Sequence, residues 1–490
     1  MVCRWPKCKV VGVFDLATAA VEGALIAGAR YADARAMQSR YESMSARNGD
    51  VEDLVQRESV GVGVRALIGS SWGFAAVPDP SPTSARQAGR TAAAIARASA
   101  TVPGPAVDLA DVTVGQGSWA SECLEDPLAV PLGEKADLLA GVTATIRAAG
   151  VPLAEASYQI WDTRKWLVSS EGHRIDQHIR ECGAGMGATA IGDRETQRRS
   201  YPAARGQYGT RGWEQVRELD LPGNAGRIAE EAIALLTAPD CPAGETDLIL
   251  GSEQLALQIH ESVGHAVELD RILGWEAAFA GTSWLDLGKL GLLRFGSELM
   301  TITADATLPG ALGSFGFDDE GTPARSVDIV RDGIWTGVLS GRDSAAIAGV
   351  PCGGMMRADG YARLPMVRMT NVGLLPGPHS LDEMIAATDD GVFMETNRSW
   401  SIDDRRLNFQ FGTEIGWEIK NGKRGRMLRN PTYTGISPKF WGSMDMLGGR
   451  PEWTFWGTPN CGKGQPGQVG HTGHPSAPAR FRNVRIGVRG

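Results

Sequence analysis

The chain has 490 residues, of which 42% are apolar and 22% charged, the composition of a soluble globular protein large enough for two or three domains. Its 63 glycines favour turns and hairpins over a long helical bundle. A net charge of −8 argues against a nucleic-acid binder, and no uncharged apolar run reaches membrane length.

Arg4, Lys7 and Lys9 precede an apolar stretch, but Asp15 and Glu22 interrupt it, so it fails as a signal peptide or span. Residues 16–27 read instead as a helix. Asn48-Gly49-Asp50 is a turn between strands, and 60–67 with 72–77 form a hairpin around Gly69-Ser70-Ser71. Ser84 is a candidate cap for an Ala-rich helix ending near Ala98. A further helix is predicted over 132–149. Residues 151–219 read as several short strands, with turns at Ser170-Glu171-Gly172 and 183–187. Pro222-Gly223-Asn224 reads as a turn opening a helix over 221–236.

Residues 237–245 (TAPDCPAGE) have linker composition and separate two halves of different texture. The expected fold class is therefore α+β in two domains. Residues 1–236 form an N-terminal mixed domain, and 246–490 a strand-rich domain carrying a metal-binding helix. In that second half, 247–250 reads as a buried strand and 252–270 as a helix. Residues 326–340 form a hairpin about Asp332-Gly333, and 391–395, 407–411 and 416–419 are strands. The basic run 420–429 reads as a charged hairpin about Asn421-Gly422 rather than a nucleic-acid patch. Residues 457–473, rich in glycine, read as a loop.

Seven cysteines at 3, 8, 123, 182, 241, 352 and 461 are odd in number and irregular in spacing. They form no disulfide framework, which makes a reducing cytoplasm the expected location. The sharpest chemistry lies at His260-Glu261-Ser262-Val263-Gly264-His265. Two imidazoles on a helix can bind zinc, and a neighbouring carboxylate can accept a proton from the attacking water. The spacing is one residue longer than in the H-E-x-x-H arrangement. At about 100° per residue, four residues bring the second histidine within about 40° of the first, and five leave it about 140° away. A regular helix cannot aim both at one ion, so a wide π-type turn is predicted near 262–264, where Gly264 tolerates distortion.

The segment Gln258-Ile-His-Glu-Ser-Val-Gly-His-Ala-Val-Glu-Leu-Asp270 resembles the metal motif of the TldD/PmbA metallopeptidases. Residues 313–324 (GSFGFDDEGTPA), 460–465 (NCGKGQ), 61–65 (GVGVR) and 72–74 (WGF) are similar to the family as well. The resemblance implies zinc held by His260, His265 and Cys461, with Glu261 as general base. Because the motif is complete, it implies the TldD-type, catalytic subunit. It also implies a homodimer, or a heterodimer with a paralogous TldE/PmbA-like subunit, enclosing the metal in a cavity. The activity implied is cleavage of unfolded or short peptides, or leader removal from peptide precursors. An extended peptide is expected to add as a strand at a sheet edge. A non-catalytic peptide-binding or scaffold subunit and a different zinc amidohydrolase are the alternatives.

Glu268 and Asp270, beyond His265, are candidates to support a zinc-bound imidazole. Of the remaining histidines, His471 and His474 could form a second metal pair but are expected to be solvent-exposed in the tail, His173 and His178 on the surface, and His379 in a loop. Asp318-Asp319-Glu320 reads as a solvated acidic turn. Residues 1–9 and 471–490 carry no family signature.

Overall fold

A computed structural model describes residues 12–102, 104, 106–464 and 467–487. The expectations that touch Cys3, Cys8, Arg4, Lys7, Lys9 and Gln465 lie outside the described residues. The fold is mixed α and β and rich in strands.

The first half is built on one sheet of eight strands. Its spine is the hairpin Tyr31–Arg47 and Asp50–Ile68, followed by Ser71–Pro78. Asn48 and Gly49 close the hairpin with φ of 54° and 102°, the left-handed pair that matches the twist of the flanking strands. The 31–47 strand also pairs with Leu153–Ser169, which pairs with Arg174–Ile191. The expectation of several short strands between 151 and 219 is thus corrected to two long strands, followed by two short ones, Thr196–Tyr201 and Gln207–Gly209, and a short helix, Glu214–Glu218. Gly183 and Gly185 lie inside a strand rather than at a turn. They are glycines because Gln207–Gly209 pairs there, and a Cβ on Gly183 would lie 2.1 Å from the Gln207 carbonyl oxygen.

Helices Val13–Ile26 and Pro82–Ser99 pack on the sheet and on each other through alanine and glycine faces. A Cβ at Gly89 would meet the Ala20 carbonyl oxygen at 1.9 Å, so the two backbones touch. The cap of the second helix is Ser81, not Ser84. Ser84 occupies the third helical position and completes a reciprocal capping box with Ser81. Helices Leu132–Ala148 and Leu221–Leu235 cover a second cluster around Tyr158 and Trp213. Pro222-Gly223-Asn224 is the first turn of the latter helix, which Asp220 caps by accepting from the Gly223 N–H at 3.1 Å.

Residues 237–243 are tied down in the structure. The Cys241 N–H donates to the Arg429 carbonyl at 2.9 Å, and the Arg429 guanidinium meets Asp240 at 2.8 Å. Strand Gly244–Leu250 then enters a seven-stranded sheet. Successive pairings through Asp390–Ile402, Gly244–Leu250, Ala479–Ile486, Thr432–Ile436 and Asn408–Lys420 return to Asp390–Ile402 and close a ring. Lys423–Leu428 extends it as the arm of the Asn421-Gly422 hairpin.

The region 457–473 is an antiparallel hairpin, Thr454–Lys463 and Gln468–Ser476, not a loop. Its glycines answer close packing. A Cβ on Gly457 would lie 2.2 Å from the Tyr208 carbonyl oxygen, and one on Gly473 2.1 Å from Asn371 Oδ1. The hairpin therefore lies against both halves of the chain.

The acidic turn is buried rather than solvated. Asp319 accepts from Lys165 at 2.6 Å and lies 3.7 Å from Arg35, while Glu320 meets Arg65 at 3.2 Å. Carboxylates of the second half thus neutralise cations that the first sheet buries.

Candidate metal centre

The helix that leaves strand Gly244–Leu250 is α-helical over Ser252–Ile259 and π-helical over His260–Gly264. The His265 N–H reaches back five residues to the His260 carbonyl at 3.1 Å. This widening offsets the angular excess of the five-residue spacing. The turn is packed all round: a Cβ on Gly264 would lie 2.2 Å from the Met369 sulfur. The imidazoles of His260 and His265 come to 4.8 Å between ring centres. The helix does not continue to Asp270; it breaks after the π turn and resumes over Leu269–Ile272.

Cys461, on the first strand of the 454–476 hairpin, brings its sulfur to 3.6 Å from His265 Nε2. One donor atom from each of His260, His265 and Cys461 falls within 4.8 Å of the others, and all three residues are buried. Two ligands of a tetrahedral zinc with a nitrogen at ~2.0 Å and a sulfur at ~2.3 Å stand about 3.5 Å apart, so the observed separation fits.

The electrostatics fit the same use. Burial lowers the basicity of both imidazoles, which keeps them neutral lone-pair donors. Burial alone would raise the Cys461 thiol, but His265 and Arg368 outweigh it and bring the thiol below its ordinary value. Cys352 and Cys241 are instead pushed up to about 12 by burial, and Cys182 and Cys123 are also raised. Among the described cysteines, Cys461 is the one whose surroundings lower the thiol.

Each imidazole is oriented by its Nδ1. His265 Nδ1–H donates to Glu268 Oε2 at 2.9 Å, leaving Nε2 towards Cys461. Burial opposes ionisation of Glu268, but Lys463, His265 and Arg271 together hold its carboxyl well below the usual range. Lys463, fully buried, bridges Glu268 at 3.2 Å and Asp270 at 2.8 Å. For His260 the partner is His474, whose Nε2 lies 2.7 Å from His260 Nδ1. His474 Nδ1 sits 2.9 Å from the Val372 carbonyl, which fixes the proton there and makes Nε2 the acceptor. His474 is therefore buried in the site, correcting the expectation of an exposed tail residue.

The other histidines are placed elsewhere. His471 pairs with Glu181 at 2.8 Å and meets Trp161 edge to face, with ring centres 4.6 Å apart. His173 is buried and accepts from the Gly115 N–H at 2.9 Å, not surface-exposed as expected. His178 pairs with Asp162 at 2.8 Å, and His379 is a loop residue near Glu383.

Glu261 lies beside the imidazoles in a cavity of about 300 Å³ shared by His260, His265, Cys461, Arg406 and Trp456. Arg406 Nη1 donates to Glu261 Oε2 at 2.7 Å. Arg406 sits in a left-handed turn with φ of 63°, and its carbonyl accepts from the Ser437 hydroxyl at 2.9 Å. Arg406 and Lys463 were not singled out in the sequence, and His474 was read there as an exposed tail residue. For His474 the signal was its alternation: three residues apart on a strand, His471 and His474 face opposite sides.

Two buried imidazoles, a cysteine sulfur and a glutamate thus meet in one cavity, a donor set that could hold a metal ion. Family models match along the chain. The PmbA/TldA metallopeptidase C-terminal domain matches residues 243–487, domain 1 matches 32–96, and the central domain matches 125–238. The chain belongs to the PmbA/TldD family of metallopeptidases. Residues 32–96 and 125–238 contribute strands to the same eight-stranded sheet.

Relatives carry protease names. A Methanothermobacter thermautotrophicus protein named "Metalloprotease" is 29% identical over 462 residues, covering 93% of this chain and 95% of that protein. A Haemophilus influenzae "Metalloprotease TldD homolog" is 26% identical, with 91% of each covered. A Saccharolobus solfataricus "Zinc metalloprotease TldD homolog" is 28% identical over 206 residues, 42% of this chain and 44% of that protein. Among solved structures, a Thermotoga maritima protein described as a putative modulator of a DNA gyrase superposes with a TM-score of 0.76 at 17% identity. The two cover 97% and 100% of their chains. TldE from Thermococcus kodakarensis gives 0.74 at 16% identity, with the same coverage. At these identities the likeness is one of fold.

Proposed function

We propose that the chain is a zinc-dependent metallopeptidase that hydrolyses unfolded or short peptides, or processes peptide precursors. His260, His265 and Cys461 are its zinc ligands, and Glu261 is its general base. The observation that carries this reading is the π turn that brings His260, Glu261 and His265 into one cavity with Cys461.

A bound zinc supplies Lewis-acid polarisation of the scissile carbonyl and acidification of water. The chain's own residues do the rest. His474 and Glu268 hold the two imidazoles with Nε2 free. Arg406 fixes Glu261 through Oε2, which leaves Oε1 to accept the proton of the attacking water and return it to the leaving amine.

Incubation of the zinc-loaded protein with an unfolded-peptide library, read by mass spectrometry, tests the reading. Glu261→Gln keeps the shape and removes the base, so it is expected to retain zinc and lose cleavage. Cleavage at near wild-type rate by that variant removes Glu261 from the mechanism. A zinc-loaded wild type that binds peptides without cutting them is instead a scaffold subunit, and one that cuts only small amides is a different amidohydrolase.

The same reading includes a dimer, with itself or with a TldE/PmbA-like paralogue. The family resemblance supports it, as does the shared fold with a protein called TldE. Sedimentation of the active protein is expected to give a dimer; an active monomer at assay concentration ends that part. We place the protein in the cytoplasm because all five described cysteines are free thiols. No helix among the described residues is long and apolar enough to cross a membrane.

A further inference from the structure

Glu253 lies on the same helix as the metal motif and lines the same cavity. It lies seven residues before His260 on that helix. That places it within about 20° of the same face and about 10 Å further along the axis. A peptide extended at about 3.3 Å per residue covers that span in about three residues.

Glu253 does not cap its own helix. Its carboxylate accepts from the backbone N–H of Thr396 on the neighbouring strand. Thr396 is held at φ 61°, a costly conformation for a β-branched residue, next to a register shift in the strand Asp390–Ile402. The distortion aims the N–H at Glu253, and Asn397 and Trp400 just beyond it also line the cavity.

Among the described residues no lysine or arginine reaches this carboxylate. The nearby cations are engaged elsewhere. Arg205 lies over the Trp400 ring at 5.1 Å, Arg406 pairs with Glu261, and Arg199 pairs with Glu231 and Glu414. Glu395 stands close enough to repel it. Burial, with Glu395 second, pushes the Glu253 carboxyl up to about 8. Trp456 stands in the cavity wall beside it, its indole N–H donating to Ser252 Oγ at 3.1 Å. A half-buried carboxylate with no paired cation is costly to ionise, and a cation beside an aromatic wall relieves the cost.

We propose that Glu253 is a specificity-determining residue that takes a cationic group of the bound peptide about three residues from the scissile bond. Two sources share that chemistry: the α-ammonium of a short peptide, and a lysine or arginine side chain. The inference rests on the peptidase reading for its substrate and deepens it.

The test uses the full-length zinc-loaded protein and three matched peptides. One has a free N-terminus three residues before the bond, one is the same peptide acetylated, and one is acetylated with lysine in place of norleucine at that residue. The cationic peptides are expected to exceed the neutral one in kcat/KM by on the order of tenfold or more. Which of the two does so identifies the source. In Glu253→Gln the ratio is expected to fall towards one. Equal kcat/KM for all three on the wild type overturns the proposal without need of a variant, and so does an unchanged ratio in Glu253→Gln.

Calorimetric binding of the same peptides to Glu261→Gln separates the two readings. A preference for cationic peptides that Glu253→Gln abolishes in that background supports the role of Glu253 even where nothing is cleaved. Cleavage without any cation preference supports the peptidase and removes Glu253.

Discussion

His474 shows how one buried proton decides what His260 can do. With its own Nδ1–H committed to the Val372 carbonyl, His474 offers only a lone pair to His260. His260 must then carry its proton on Nδ1 and present Nε2 as a donor atom. Phenylalanine at 474 keeps a ring in the space and removes the acceptor. We expect His474→Phe to weaken zinc binding by about 10- to 100-fold, the usual cost of losing the partner of a ligating histidine. Competition against a chromophoric chelator measures it, and an unchanged affinity dismisses His474 from the site. In the sequence this residue was a histidine among glycines. Its function depends on being on a strand, and the glycines that made the region read as a loop are there because other backbones press against it.

The element that makes the site is a single turn of π-helix. Its presence was legible, because two motif histidines five residues apart cannot point the same way on an α-helix. What the spacing did not reveal is what holds the turn in place. Met369 lies against Gly264, where a Cβ would come to 2.2 Å from the sulfur. Gly264→Ala therefore forces the turn or the methionine to move, and we expect it to destabilise the protein by about 1–3 kcal/mol. Thermal unfolding reads this. Shortening Met369 to alanine in the same chain should make the glycine substitution cheaper, and additive effects of the two changes would contradict the clash. Strand ends were the harder part elsewhere. Glycines at 183–187 signalled a turn by composition, whereas in the fold they admit a neighbouring strand, a long-range contact that no local window contains.

Across the whole molecule the two halves are joined by buried charges. Asp319 sits between Lys165 and Arg35, both supplied by the first sheet. Burial favours its neutral form, but the two cations outweigh that and hold the carboxyl below its ordinary value. A carboxylate with a depressed folded pKa stabilises fully above its unfolded value of about 3.9 and loses that contribution as the pH falls through the folded value. Asp319→Asn strands two buried cations, and we expect a loss of about 3–5 kcal/mol at neutral pH. The difference from wild type should shrink in acid below about pH 4, as the wild-type carboxyl itself protonates. Denaturant unfolding at pH 7 and pH 3 measures both, and a neutral variant at pH 7 refutes the bridging role. Read locally, Asp318-Asp319-Glu320 could only be a solvated turn. The partner of Glu320, Arg65, lies 255 residues earlier. The α+β class and the motif were visible because they are local patterns, and this pairing was not because it is made only by folding.

The 454–476 hairpin carries both Cys461 and His474, one on each strand. On the reading proposed here, a chain emerging from the ribosome displays His260 and His265 long before it has the thiolate or the imidazole that completes their setting. Unfinished or truncated chains hold the motif without the means to use it. On that reading the peptidase is armed only once a segment 196 residues beyond His265 has been made and folded back.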